Sequence, residues 1–403
     1  MKSNWETRPL GELVRFSSGG TPSKKNPKYW NGTIPWISAK TMKGERVSTS
    51  DLMITEEGLA SGSKLAPIGS LLLLTRGSGL FNGIPLCIVE RPVAFNQDVK
   101  CIESCTDVSN QFIFYWLKSQ EQYLKAKLEV TGIGAGKIDT KFLQELRVPV
   151  PPKEERDKIV AIAEAISKKI IINTKINDNL LEQLNALYQE LSTRDEWDIM
   201  AIGELAEKIA MGPFGSNIKV STFVPCGVPI ISGNHLRGYF LEEPSYNYIT
   251  EKHAEKLKNS IVYPGDIIFT HAGNIGQVAM IPDACDYPRY VLSQRQFYLR
   301  CNIEKILPEY VTLFFHSKEG QHKLLSYANQ TGVPSLAQPA SNLKKITLSV
   351  PPIQTQEEWA ALVRPIIAQY QHNRLESCAL ADLRDTLLPK LMSGEIDVSS
   401  IDR

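Results

Sequence analysis

The 403-residue chain carries the same ordered set of short motifs twice. Leu10-Gly-Glu-Leu13 returns as Ile202-Gly-Glu-Leu205, Ile34-Pro-Trp-Ile-Ser38 as Val228-Pro-Ile-Ile-Ser232, and Pro67-Ile-Gly-Ser70 with the apolar run to Leu74 as Pro264-Gly-Asp-Ile-Ile-Phe269. Phe112 to Leu117 matches Tyr310 to Phe315, Thr131-Gly132 matches Thr331-Gly332, and Val148-Pro-Val-Pro-Pro152 matches Leu348-Ser-Val-Pro-Pro352, these last pairs at a spacing near 200. Such a period far exceeds the roughly 20 to 50 residues of a solenoid repeat, so duplicated domains are expected. The matching positions are apolar residues and turn glycines or prolines, whereas the polar residues between them mostly differ. The pattern predicts one fold used twice, with two different surfaces.

Each copy has two parts. Residues 1–152 and 195–352 mix short β-rich runs with Gly, Pro and Ser turns and few helical stretches, the signature of a compact α+β domain. Residues 153–194 contain no Gly or Pro, and Ile159, Ile162, Ile166, Ile170, Ile176, Leu180, Leu184, Leu187 and Leu191 follow the three-and-four spacing of a coiled-coil seam. At ~1.5 Å per residue, about 38 helical residues make a rod of roughly 57 Å. Residues 353–403 place Leu362, Ile366, Tyr370, Leu380, Leu383, Leu387 and Leu391 at matching offsets and stop at Ser393-Gly394, where a helix cap favours glycine. Two prolines interrupt this second stripe. Pro389 is expected to kink or end the last turn, and Pro365 points to a helix that begins there rather than at Gln354. Neither helix can bury its stripe alone, so an antiparallel pair within the chain is expected. Asn173 and Asn373 fall near the two midpoints, where their amides either bond each other and fix the register or point to solvent at the seam edge.

Lys plus Arg number 45 against 44 Asp plus Glu, so any attraction to nucleic acid or an anionic membrane is local rather than a bulk property. Residues 1–150 hold 19 cationic and 14 anionic side chains. Within residues 21–46, Lys24, Lys25, Lys28, Lys40, Lys43 and Arg46 meet only Glu45 and alternate with Tyr29, Trp30 and Trp36, next to Ser18, Gly19, Gly20 and Thr21. That combination suits a phosphate backbone, with cations to release counterions and small residues whose amides can approach a phosphate; a solvated lysine-rich loop is the alternative. The second copy offers Gly212, Phe214, Gly215, Ser216 and Lys219 at the corresponding place, then Asn234, His235 and Arg237. Gln294, Arg295 and Gln296 are matched with Asn96, Gln97 and Asp98, and Arg76 and His271 complete the candidates for DNA contact. Arg pairs bidentately with guanine, and Asn or Gln with adenine.

No apolar run approaches the ~20 residues of a membrane span, MKSNWETRPL has no secretory character, and seven cysteines without a framework suit reduced thiols. A cytoplasmic protein is expected. The six histidines form no His-x-Glu or His-Glu-x-x-His motif, so neither a metal nor any other cofactor is expected. Gly132-Ile-Gly-Ala-Gly-Lys137 lacks the first Gly and the closing Ser or Thr of a phosphate loop, and Gly-x-Ser-x-Gly is absent. Three classes are weighed: a non-catalytic DNA reader, an autonomous methyltransferase or nuclease that would need a cofactor motif, and a helical adaptor without DNA readout.

Trp5 with Pro9-Leu-Gly-Glu12, Ser18-Gly-Gly-Thr-Pro22, Ile34-Pro-Trp-Ile-Ser38, Gly212-Pro-Phe-Gly-Ser216 and the ending from Leu383 to Ile396 occur in this order. With them the sequence resembles the specificity subunit of a type I restriction-modification system along essentially its whole length. The resemblance implies two similar globular α+β target recognition domains, residues 1–152 and 195–352, separated by two long α-helices packed as an antiparallel coiled coil, residues 153–194 and 353–403 with the tail. It implies further that each domain reads one half of a bipartite, asymmetric double-stranded DNA target. The helices would set the spacer length and dock methyltransferase subunits, two of them, in a complex that also holds restriction endonuclease subunits. Methyl transfer and cleavage would then belong to those partners. A rod of fixed length between two readers is a ruler, so half-sites about one helical turn, ~34 Å, apart are expected. Pro365 and Glu376 depart from a regular second seam.

Overall fold

A computed structural model describes residues 5–132, 134–194, 196–242, 245–329 and 332–399, with the side chain of Ser216 also outside the described set. Thr331 of the repeated Thr-Gly pair therefore lies outside the described residues. The chain divides into two compact units, residues 1–172 with 376–403 and residues 173–375.

Unit 1 is built on two sheets. Leu71–Leu74 is apolar at every position and fully buried, which a strand covered on both faces requires. It sits at the centre of a five-stranded sheet in the order Val14–Ser18, Val99–Ser104, Leu71–Leu74, Leu86–Val89, Arg46–Val47. The second sheet runs Met53–Ile54, Trp30–Ile37, Val93–Phe95, Lys64–Ala66, with Ala94 parallel to Trp36. Helix Asn110–Ser119, whose first turn is capped by Ser109 Oγ accepting from Phe112 N (3.2 Å), buries Phe112, Phe114 and Tyr115 in the same core.

Unit 2 repeats this topology. Its first sheet runs Ala206–Met211, Gln296–Cys301, Ile267–Thr270, Val278–Met280, and a parallel bridge from Phe240 to Met280 takes the place of the fifth strand. Its second sheet runs Asn247–Ile249, Val228–Ile231, Tyr290–Leu292, Ile261–Val262, with Ile230 parallel to Val291. Helix Pro308–His316 packs where Asn110–Ser119 does in unit 1. In each unit a two-stranded ribbon, Glu6–Pro9 with Arg147–Val150 or Asp198–Ala201 with Thr347–Val350, ends at the Pro-Pro that opens a long helix.

The long helices are Lys153–Ser192 and Ile353–Ser393, and each unit contains half of both. In unit 1, Lys169 Nζ reaches Glu376 Oε2 at 3.0 Å and Ile159 shares a core with Leu388 and Leu391. In unit 2, Asn173 meets Asn373, Asn177 meets Tyr370, and Trp359 Nε1 donates to Leu187 O at 3.1 Å. Partners advance in opposite directions, so each half-pair is antiparallel. The α+β class with an antiparallel helical pair is thus the observed fold.

Two expectations for the helices need correction. The second helix begins at Ile353 and passes through both Pro365 and Pro389. Each proline is exposed, as are Ala361 and Asp385 four residues earlier, whose carbonyls lose a helical donor, so the prolines lie on the outer side of the helix. Trp359, Ala360 and Val363, upstream of Pro365, are buried in the core of unit 2 and hold the helix against the lost bond. The seam also drifts from the three-and-four count: Ile176, Leu362 and Leu383 are 39%, 60% and 48% exposed, while Asn177, Tyr188 and Ile367 face inward. A helix of 3.6 residues per turn rotates by about 20° per heptad relative to a 3.5 repeat, so counting by heptads loses the buried face over 40 residues.

Candidate nucleic-acid interface

Main-chain bonds close the loops at one end of each core, and two of the three in each unit are at equivalent places. In unit 1, Gly20 N donates to Phe95 O (2.9 Å), Asn96 N to Ile37 O (3.0 Å) and Thr75 N to Asp98 O (2.9 Å). In unit 2, Gly212 N donates to Gln296 O (2.8 Å), Ser293 N to Ile231 O (2.8 Å) and His271 N to Arg295 O (2.9 Å). Asn96 is therefore the counterpart of Ser293, and residues 294–296 answer 97–99, one residue on from the match made by sequence alone. These bonds draw together residues 19–21, 38–41, 75–77 and 96–98 in unit 1. In unit 2 they gather 212–219, 232–237, 271–274 and 293–296.

Several candidates build these loops. A Cβ on Gly19 would stand 2.0 Å from Phe95 O, one on Gly20 1.8 Å from Gly62 O, and one on Gly212 2.1 Å from Ser293 O. Their role is close approach of strands, and the Gly20 and Gly212 amides are already bonded within the protein. Trp36 is buried, with its Nε1 donating to Gly20 O at 3.0 Å and its ring edge-on to Trp30 at 5.4 Å. Ser18 Oγ accepts from Lys100 Nζ. His235 is buried and stacked on Tyr246 at 4.5 Å, with Nε2 2.9 Å from Ser245 O and Nδ1 accepting from Ser232 N at 2.9 Å. It closes the same turn that Thr41 closes in unit 1, where Ser38 N donates to Thr41 Oγ1 at 2.9 Å. Gln296 is buried against Ser293 Oγ. Trp36, His235 and Gln296 are thus buried with polar atoms bonded inside the protein, whereas Ser18, Gly19 and Gly20 are half-exposed.

The remaining candidates are accessible. In unit 1 they are Thr21, whose Oγ1 donates to Gln97 Oε1 at 2.7 Å, Gln97 itself, Lys24, Lys25, Lys40, Lys43 and Arg76. A groove of about 280 Å³ bordered by Lys43, Arg46, Ser48 and Thr49 adjoins them. In unit 2, Phe214 is 73% exposed, Gly215 has φ +59° with open space around it, and Lys219, Asn234, Arg237 and Arg295 are exposed. Gln294 is exposed but spends Nε2 on Gly215 O and on Ile218 O, the latter at 3.4 Å, which pins the loop carrying Phe214. His271 Nε2 lies 3.1 Å from Gln294 O. Nothing is described of the Ser216 side chain.

A polar cleft of about 260 Å³ opens among the unit 2 loops, with Asn234, Asn274, Gln277 and Arg295 on its walls. Gln277 Nε2 donates to Gly233 O at 3.1 Å and its Oε1 accepts from Thr270 Oγ1 at 3.1 Å, so it braces the wall. Asn274 was missed in the sequence, although its place between Gly273 and Gly276, both at φ +89°, marks an amide on an exposed turn. Unit 1 thus presents chiefly cations, suited to phosphates, and unit 2 presents amides and a guanidinium fork, suited to base edges. Asp266, close in sequence to this cleft, is structural: burial pushes its carboxyl pKa up against the pull of Arg300, which donates at 2.8 and 2.7 Å. No helix among the described residues is long and apolar enough to cross a membrane.

The type I restriction modification DNA specificity domain is matched twice, over residues 2–182 and 194–377. The chain belongs to that family. The matches recover the internal duplication, and the chain is a type I specificity subunit with two DNA-specificity domains. Over 99% of its length it is 23% identical to the type I restriction enzyme MjaIX specificity subunit of Methanocaldococcus jannaschii, 95% of which is covered. Over 39% of each chain it is 36% identical to the EcoR124I/EcoR124II specificity subunit of Escherichia coli. The crystal structure of the type I S subunit from M. genitalium superimposes with a TM-score of 0.56 at 16% identity, covering 98% of this chain and 97% of that one, a likeness of fold.

Proposed function

We propose that each unit of this specificity subunit reads one half of a bipartite, asymmetric target in double-stranded DNA. Residues 1–152 and 195–352 serve as the two target recognition domains and the long helices as the spacer between half-sites. One observation carries the reading: in both units the loops are closed by equivalent bonds, Asn96 N to Ile37 O with Thr75 N to Asp98 O and Ser293 N to Ile231 O with His271 N to Arg295 O, while Lys40 and Arg76 of the first give way to Asn234 and Ala272 at the equivalent places of the second. A shared scaffold with independent polar surfaces makes the half-sites separable. Exchange of residues 1–152 for those of a homologous subunit is expected to change one half of the methylated sequence, mapped across the genome of a cell carrying the complete system. A change in both halves sinks the reading.

The helices expose the apolar side chains of Ile172, Ile176, Leu362, Leu375 and Leu383, which supports docking of methyltransferase subunits, two per complex, alongside restriction subunits. Methyl transfer and cleavage lie with those partners, in the cytoplasm where the DNA is. Phosphate contacts through the lysines of unit 1 require binding to weaken with salt. The logarithmic slope is expected to become shallower by about 0.9 for each of Lys40 and Lys43 replaced by Gln, provided each neutralises one phosphate. A binding constant indifferent to salt would favour a purely structural adaptor.

Asn173 and Asn373 act in this scheme as register residues. Asn173 Nδ2 donates to Asn373 O (3.3 Å), Asn373 Nδ2 to Asn177 Oδ1 (2.9 Å) and Asn177 Nδ2 to Tyr370 O (3.1 Å), three directed bonds close together in the seam. Asn173→Leu is expected to leave the chain folded but to broaden the spacer lengths accepted by the assembled methyltransferase. An unchanged spacer preference counts against the role.

A further inference from the structure

The residues that follow the outward turn of each unit are fastened to both long helices, by charge in unit 1 and by neutral groups in unit 2. In unit 1 the turn 38–44 carries Lys40 and Lys43 and leads directly into Glu45 and Arg46. Glu45 Oε1 accepts from Arg384 Nη1 at 2.5 Å, on the second long helix, and lies 3.3 Å from Lys118 Nζ. Arg46 Nη2 donates to Glu164 Oε1 at 3.1 Å, on the first long helix, with Glu90 3.6 Å from its other nitrogen. In unit 2 the turn 232–238 carries Asn234 and Arg237 and leads into Tyr239 and Phe240. Tyr239 OH bonds Asn185 on the first long helix, 2.9 Å from its Nδ2, and the Phe240 ring packs on Tyr370 of the second, with centroids 5.5 Å apart.

The correspondence is positional. Glu45 and Tyr239 each follow a glycine, Gly44 or Gly238, and in each unit the next residue opens a parallel pairing, Arg46 with Ile88 or Phe240 with Met280. Side chains of Arg384 and Glu45 are only 10% and 18% exposed, so this charge pair is poorly screened and each partner depends on the other. Two consecutive residues held by two separate helices leave the turn little freedom to pivot. A base contact is lost when its donor is displaced by about 1 Å, so the hold on the root of the turn bears directly on the contacts it carries.

We infer that Arg384 and Glu164 are positioning residues for the first half-site, and that Asn185 and Tyr370 are positioning residues for the second, each acting on discrimination through the turn it anchors. The inference rests on the proposed reading of one half-site per unit. It also separates the two halves chemically, since only the first is held by ion pairs.

The test uses the complete methyltransferase complex carrying wild-type, Arg384→Gln or Asn185→Ala subunit, with the methylated motif mapped across the host genome. Arg384→Gln is expected to lower discrimination at one or more positions of one half about tenfold, within what a single base contact supplies, and to leave the other half unchanged. Asn185→Ala is expected to relax the opposite half. If the Arg384→Gln complex fails to assemble, Glu164→Gln removes the helix charge opposite Arg46, leaving it only Glu90, and is expected to relax the same half as Arg384→Gln would. Wild-type motif retained in both halves by every assembled variant, or loss spread over both halves by one of them, overturns the positioning role. Absence of a bipartite motif with the wild-type subunit would instead overturn the reading of DNA on which the inference rests.

Discussion

Replacing Gly212 by alanine is expected to destabilise unit 2 by about 3 kcal/mol and to abolish discrimination at its half-site. The added Cβ would lie 2.1 Å from Ser293 O and 2.9 Å from Gln296 O, both main-chain atoms that no rotamer change can move aside. The segment cannot simply retreat, because Gly212 N is bonded to Gln296 O at 2.8 Å and Gln296 lies in the central pairing with Thr270. Relief of the overlap therefore breaks at least one buried main-chain bond and shifts the loop that carries Gln294 and Arg295. Gly132→Ala, where a new methyl group meets nothing within 4 Å, is the matched control and is expected to be nearly neutral. Hydrogen exchange resolved by segment would report the loss in residues 206–211 and 296–301 and its absence in unit 1. Equal protection in the Gly212→Ala chain would contradict the close-approach role.

Acidification is expected to weaken unit 2 through His316. Its ring is stacked on Tyr239 at 3.7 Å and its Nε2 donates to Val278 O at 2.8 Å. Burial lowers its pKa to about 4 from an ordinary value of 6.5, although the carbonyl pulls the other way. The folded unit thus holds the ring neutral where the unfolded chain would protonate it, so the unfolded state binds more protons between these values. Stability from this group is complete above pH 6.5 and is lost as the pH falls towards 4, by about 3 kcal/mol in all. Denaturant unfolding of unit 2 followed from pH 7 to pH 4 should show this slope, and His316→Gln should flatten it. The same acid dependence in the variant would assign the effect to the carboxylates instead. Because Tyr239 also bonds Asn185, loss of the ring stack is expected to reach the turn bearing Asn234 and Arg237.

Much of this arrangement is legible in one dimension. Repeated Gly, Pro and apolar positions mark the duplication, and the uninterrupted apolar stripe after Pro152 marks a helix that the structure places at Lys153–Ser192. Both signals are local, since main-chain conformation and hydrophobic periodicity are written within a few residues of each other. The outward or inward direction of polar side chains was far less legible. His235 and Asn234 are adjacent and both polar, yet one is buried in a turn and the other lines the cleft. Gln294 and Gln296 are chemically identical and two residues apart, and only the first is exposed.

The order of residues is enough to set the duplicated α+β plan, the two long helices and the family to which they belong. Only the packed chain brings main-chain carbonyls against Gly19, Gly20 and Gly212, buries Trp36, His235 and Gln296, and carries a helix through Pro365. The reason is physical: a period or a turn depends on neighbours in sequence, whereas burial and hydrogen-bond satisfaction depend on which distant carbonyl or ring the fold brings within about 3 Å.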